Sequence, residues 1–200
     1  MKIFGLKAKF EDKNFQSEIY RKAFHIGLGS FLILAYFYLG KEIAIMLFTS
    51  LLFLAILSDA IRLRVYIQYP LKRIADTISR SYERTYLGAH TYFLSGVLFS
   101  SIFFHEIPFL IGVFVVTFID PIISLVGMIF DQIKHPYNKN KSVIGSFFGA
   151  ILTFFILLNY TSILKASIIA ITVYIIDSVP LPYSDNLVYP ILISFLAESL

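Results

Sequence analysis

FIDPIISLVGMIFDQIKHPYNKNKSVIGSFFG, residues 118–149, is a polar island between two apolar runs. Asp120 stands inside an apolar stretch that begins near Pro108. A charge at that depth in hydrocarbon costs roughly 3 kcal/mol or more unless it is paired or bound, so it marks a functional site by default. A basic, Asn- and Gly-bearing loop follows, with Lys141 and Ser142 at the mouth of the next run. Carboxylate, lysine, hydroxyl and glycine are together the parts that hold a metal and a phosphate chain.

The rest of the chain has the same apolar character. It has 200 residues, of which 58% are hydrophobic and only 15% charged, with a mean hydropathy of +0.77. Soluble domains carry about a quarter charged residues, so the composition points to an integral membrane protein with one domain over residues 1–200. The apolar runs are continuous rather than alternating, which excludes an outer-membrane barrel. There is no cysteine, so disulfides and thiolate metal sites are excluded. With no Trp and 13 Tyr, tyrosine is left to form the interfacial belt. The first twenty residues are polar and no small-residue cleavage site follows the first apolar run, so no secretory signal is expected.

Crossing a bilayer takes ~20 apolar residues. Runs approaching that length lie at about 22–39, 42–60, 88–104, 107–130, 146–163, 165–179 and 187–200. The expected fold is therefore all-α, a polytopic transmembrane helical bundle of about seven spans. An interfacial amphipathic helix is expected after Pro70, where Leu71, Ile74, Ile78 and Tyr82 recur at helical spacing among arginines and lysines. An ordinary solvated connecting helix is the alternative there.

Basic residues sort by side. Six lie at or before Lys22, six in 61–87 and three in 131–145. Under the seven-span reading these share one side, and only Lys41 and Lys165 fall on the other. The positive-inside rule makes the first side, with the N-terminus, cytoplasmic. A net charge of +4 suits anionic lipids and ligands, while no basic patch on a soluble fold speaks for nucleic acid.

The remaining polar residues collect on that same side. Glu18, Arg21, Lys22 and His25 follow i, i+3, i+4, i+7 spacing and share one helix face. A positive-inside anchor with a helix ion pair accounts for Arg21 and Lys22. It does not account for His25, one turn into an apolar span, where a histidine faces the bundle interior. Asp120, Ser124 and Gly127 share another face, and Pro121 loosens the backbone ladder beside them. Asp59 and Arg62 form an i, i+3 pair that reads as a structural salt bridge, and Gly88 and Thr91 open the third span as packing residues. Lys141, Ser142 and Gly145 place a lysine and backbone N–H groups at a helix start, where phosphate oxygens are favoured, although this is no Walker A loop. Asp177 ends the sixth span, and Asp185-Asn186 either caps the seventh helix or adds to the site. His90 reads as interfacial. His105 and His135 read as loop residues without metal-ligand spacing, and replacing His135 is expected to matter little.

In order, E-x-x-R-K-x-x-H (18–25), D-x-x-R (59–62), G-x-x-T-Y (88–92), D-P-x-x-S-L-V-G (120–127), K-S-x-x-G-S (141–146) and D-N-x-x-x-P (185–190) resemble the dolichol kinase/phytol kinase family. That family includes the yeast-type CTP-dependent diacylglycerol kinases. The resemblance covers most of the chain. It departs at Ile119, where the family usually has Gly before the Asp, and at Asp177, where it often has Glu. It implies a membrane kinase that moves the terminal phosphate of CTP to a polyprenol-type alcohol, dolichol foremost. On this reading Asp120, with Asp177 or Asp185, holds Mg²⁺. Lys141, Arg21 and Lys22 clamp phosphates, with Ser142, Gly145, Ser124, Gly127 and Asn186 beside them. Asp120, Asp185 or His25 takes the hydroxyl proton. A cytidylyltransferase making a CDP-lipid, or a small transporter, are the rival readings. Asp120→Ala and Lys141→Ala are each expected to abolish turnover and leave the fold intact.

Overall fold

The computed structural model describes residues 13–64, 86–130 and 133–200. The amphipathic segment expected after Pro70 therefore falls almost wholly outside the described residues. Within them the fold is all helical: α1 (Lys13–Arg64), α2 (Ala89–Phe103), α3 (Glu106–Phe114), a π turn (Val115–Ile119), α4 (Asp120–Ile129), α5 (Val143–Leu157), α6 (Ile163–Ser178) and α7 (Asp185–Ser199). No strand occurs among the described residues, only an isolated bridge between Lys134 and Ser142.

Helix α1 is broken at Gly40, whose φ of 78° and ψ of 165° are not helical. That left-handed φ costs a side-chain-bearing residue energy that glycine escapes. The break reverses the chain. A straight helix would hold Lys22 and Asp59 about 55 Å apart. Instead, the Arg62 guanidinium donates to the carbonyl of Tyr86 at 2.8 Å, and Tyr86 lines one cavity together with Lys22. Lys41, just past the break, donates to the carbonyl of Phe104 at the far end of α2 (3.2 Å). The two apolar runs read at 22–39 and 42–60 are thus antiparallel arms of a hairpin.

Helices lie over all seven apolar runs. Two helical stretches, Phe15–Arg64 and Glu106–Ile129, are long and apolar enough to cross a membrane. Helices α2 and α5 are apolar but have 15 residues each, about 22 Å against ~30 Å of hydrocarbon. One core takes side chains from every helix, with Leu32, Phe48, Phe93, Phe109, Ile123, Ile169 and Tyr189 fully enclosed or nearly so. Outside that core the surface stays apolar: Phe31, Phe37, Met46, Phe53, Phe103, Phe155 and Ile171 are all exposed.

The molecule has two polar ends. At one end Lys41 meets Phe104, the Lys165 ammonium donates to the carbonyl of Ala197 (2.8 Å), and His105 pairs with Glu198. The two lysines set apart in the charge sorting both lie there. The other end gathers Arg21, Lys22, Arg62 and Lys141 with the acidic residues described next.

Candidate functional site

The π turn exposes a carbonyl, and Pro121 keeps it exposed. Asp120 donates its N–H to Val115, five residues back. The next donor in that register would come from residue 121 to Val116, but proline has no N–H. The vacated Val116 carbonyl instead accepts the Nε2–H of His25 at 2.9 Å. Since a carbonyl only accepts, this bond fixes the His25 tautomer, with Nε2 protonated and the lone pair on Nδ1. The ring also packs on Phe93, with centroids 4.4 Å apart.

One residue beyond the turn, Asp120 is 2% exposed and accepts from the Lys22 ammonium at 2.7 Å. The spacing of 18–25 therefore does turn Lys22 toward α4 and His25 toward the π turn before it, and Arg21 pairs with Glu18. Asp177, near the C-terminus of α6 and wholly buried, and Asp185, the first residue of α7, share a second ammonium. Lys141 Nζ lies 2.6 Å from Asp177 Oδ1 and 2.7 Å from Asp185 Oδ2. Asp120, Asp177 and Asp185 each offer a carboxylate oxygen, all within 4.8 Å of one another. Burial opposes the charge of Lys141, but Asp185, Asp177 and then Asp120 outweigh it and hold the ammonium protonated well above the ordinary lysine range.

Lys141 reaches this point because its loop folds back on itself. Val143 N–H donates to Ile133 O (3.0 Å), His135 N–H to Lys141 O (3.2 Å) and Lys141 N–H to Asn138 O (3.0 Å). The Asn138 side chain accepts from the Asn140 N–H (3.3 Å), the local bond that makes Asn a turn former.

Two cavities flank the carboxylates. The first, of about 380 Å³, is lined by Arg21, Lys22, His25, Asp120, Asp185 and Asn186 and also by Tyr86, Leu87, Tyr92 and Leu181. The second, of about 370 Å³, is lined by Gly127, Asn140, Ser142 and Asp177 among others. Ser124 and Lys141 line both.

Most of the residues singled out in the sequence therefore converge. Ser142 is the N-cap residue of α5 and also donates to the carbonyl of Phe130 (2.9 Å). Gly145 is the exception among the phosphate-binding candidates. A Cβ there would sit 2.6 Å from the Ile123 carbonyl and 2.9 Å from the Gly127 Cα, so this glycine lets α4 and α5 touch and lines neither cavity. The N-cap position of α7 is Ser184, not Asp185 or Asn186. Asn186 instead donates to the carbonyl of Ala89 at 3.3 Å. His135 was missed. The residue is 4% exposed, and its ring bonds to Ser146, which bonds to Asp177. Two hydrogen bonds thus connect this residue, read in the sequence as a loop histidine, to the carboxylate cluster.

Asp59, Arg62, Gly88 and Thr91 form one clasp, in keeping with a structural role. The Asp59 carboxylate accepts from the Gly88 N–H (2.7 Å), the Thr91 hydroxyl (2.7 Å) and the Arg62 guanidinium (2.9 Å). It ties the end of α1 to the N-terminus of α2. Asp59→Ala is expected to lower stability by about 2–3 kcal/mol, because it leaves buried donors unmatched. Loss of helical circular dichroism with rising dodecyl sulfate would report this, and a midpoint equal to wild type would refute it.

Compared with protein-family models, curated proteins and solved structures, the chain matches none of them.

Proposed function

We propose that this chain is a multi-pass membrane kinase that transfers the terminal phosphate of a nucleotide, CTP foremost, to a polyprenol-type lipid alcohol such as dolichol. The observation that carries the reading is the meeting of three carboxylates and two lysines from separate helices and a loop at the wall between two cavities. Phosphoryl transfer asks for charge neutralisation and alignment above all. The open apolar surface supports the membrane setting, since a soluble monomer seldom leaves so much of it uncovered. The reading takes seven crossings as its premise, and on that premise the charge sorting puts the polar site at the cytoplasmic face.

The donor set fits Mg²⁺. Asp120, Asp177 and Asp185 are hard oxygen ligands near enough to share one ion. When bound, the ion would neutralise phosphate charge. Three carboxylates against two ammonium groups leave a net negative centre that attracts a dication. Lys141 lines both cavities and is placed to follow the transferring phosphate, while Arg21 and Lys22 hold phosphate oxygens in the first cavity. The apolar side chains lining that cavity, Leu87 and Leu181 among them, suit the alcohol's hydrocarbon tail. Asp120 and Asp185 already hold ammonium groups, whereas His25 keeps its Nδ1 lone pair for the hydroxyl proton. The alcohol oxygen then attacks the terminal phosphorus, the bond to the bridging oxygen breaks, and the nucleoside diphosphate leaves.

The test is product identity. Protein purified in detergent, given Mg²⁺, γ-labelled CTP and a panel of lipid alcohols, is expected to yield labelled lipid monophosphate and CDP. Pyrophosphate with a CDP-lipid would replace this reading by a cytidylyltransferase. No turnover of any alcohol with either CTP or ATP would end it.

A further inference from the structure

The loop that carries Lys141 also carries a buried histidine that the proposed chemistry leaves unused. His135 Nε2 lies 2.8 Å from Ser146 Oγ and 3.4 Å from Ser178 Oγ. Ser146 in turn bonds to Asp177 Oδ2. The protons along this chain can be assigned. Ser178 gives its hydroxyl proton to the carbonyl of Tyr174 at 2.6 Å. Ser146 has one proton and two acceptors, the Asp177 carboxylate and, at 3.0 Å, the Ser142 carbonyl. The carboxylate is the stronger acceptor. With both hydroxyl protons committed, the His135 Nε2 must be the donor. The chain thus runs His135 N–H to Ser146 O–H to Asp177 Oδ2, while Asp177 Oδ1 faces Lys141.

We propose that His135 is a positioning residue: acting through the Ser146 hydroxyl, it pins Asp177 Oδ2 and so presents Oδ1 to the cation site. This rests on the reading of Asp120, Asp177 and Asp185 as that site. A pinned carboxylate loses no orientational freedom when an ion binds. An unpinned one turns, and it competes for Lys141 with either oxygen. Partners of this kind typically change metal affinity 10- to 100-fold.

The probe is Mn²⁺, titrated into the detergent-solubilised full chain and followed by electron paramagnetic resonance. His135→Phe, which fills the space without a donor, is expected to weaken Mn²⁺ binding by about tenfold, and Ser146→Ala by about the same. Because both act through one chain, the double variant should bind no more weakly than either single one. His135→Gln restores an N–H donor and should recover most of the affinity. Should His135→Phe fail to fold, Ser146→Ala with wild type carries the test. Wild-type affinity in either single variant, multiplicative losses in the double variant, or His135→Gln as weak as His135→Phe would each overturn the positioning role alone. A wild-type protein that binds no Mn²⁺ would overturn the cation site and this inference together.

Discussion

Lys141→Ala is expected to lower turnover by about a thousandfold while tightening Mn²⁺ binding. The two effects have one cause. The ammonium lies between Asp177 and Asp185, 2.6 and 2.7 Å from their oxygens, and lines both cavities. Removing it leaves the acidic cluster short of one positive charge, which favours a dication at the carboxylates. It also removes the charge aimed at the phosphate in transit, and losing one such preorganised group typically costs 10²–10³ in rate, or more where phosphoryl transfer depends on it. Lys141→Arg is expected to fall short of wild type as well, because a planar fork cannot replace a compact ammonium held between two carboxylates. Single-turnover rates and Mn²⁺ titration on the same preparations check both effects. A variant that merely damages the fold would lose rate and metal together. Turnover within tenfold of wild type would remove Lys141 from the chemistry.

Much of this arrangement was legible in the sequence because it is written at helical spacing. Lys22 and His25 share a face, as do Asp120, Ser124 and Gly127, and in each case the structure turns that face inward. The apolar runs gave the helices, since a backbone in hydrocarbon must satisfy its own hydrogen bonds. The reversal at Gly40 was implied by the gap between the first two runs. Other features depend on contacts between residues far apart in the chain. Asp59 and Thr91 are 32 positions apart and lie on different helices, so the sequence offered each as a local feature and not as a clasp. His135 sits in a polar loop, and nothing local says that the loop folds its ring under α5 and α6. The only available signal was its place six residues before Lys141. The packing role of Gly145 was not legible because a glycine beside a lysine and a serine fits a phosphate loop as well as a helix crossing, and the crossing shows only in the proximity of Gly127.

Burial of the Lys22–Asp120 pair sets the last expectation and revises an earlier one. Both side chains are nearly sealed, at 8% and 3% exposure, and bond at 2.7 Å. Removing one partner strands the other charge away from water, a change that typically costs about 3–5 kcal/mol. Asp120→Ala is therefore not a silent change for the fold, and neither is Lys22→Met. Replacing a buried pair by apolar residues of similar size is often neutral or stabilising, because neither charge then has to be desolvated. The double variant Lys22→Met/Asp120→Leu should accordingly regain most of the stability lost by either single change, yet stay inactive, since the cation loses a ligand and the phosphate a clamp. Unfolding by dodecyl sulfate followed through helical circular dichroism suits a chain with neither Trp nor Cys. Single variants as stable as wild type would mean that the pair is not buried in the folded protein. A double variant as unstable as the two losses added together would mean that the site around α1 and α4 needs those charges to assemble at all. Recovered stability without recovered turnover separates what the pair does for the fold from what it does for the reaction.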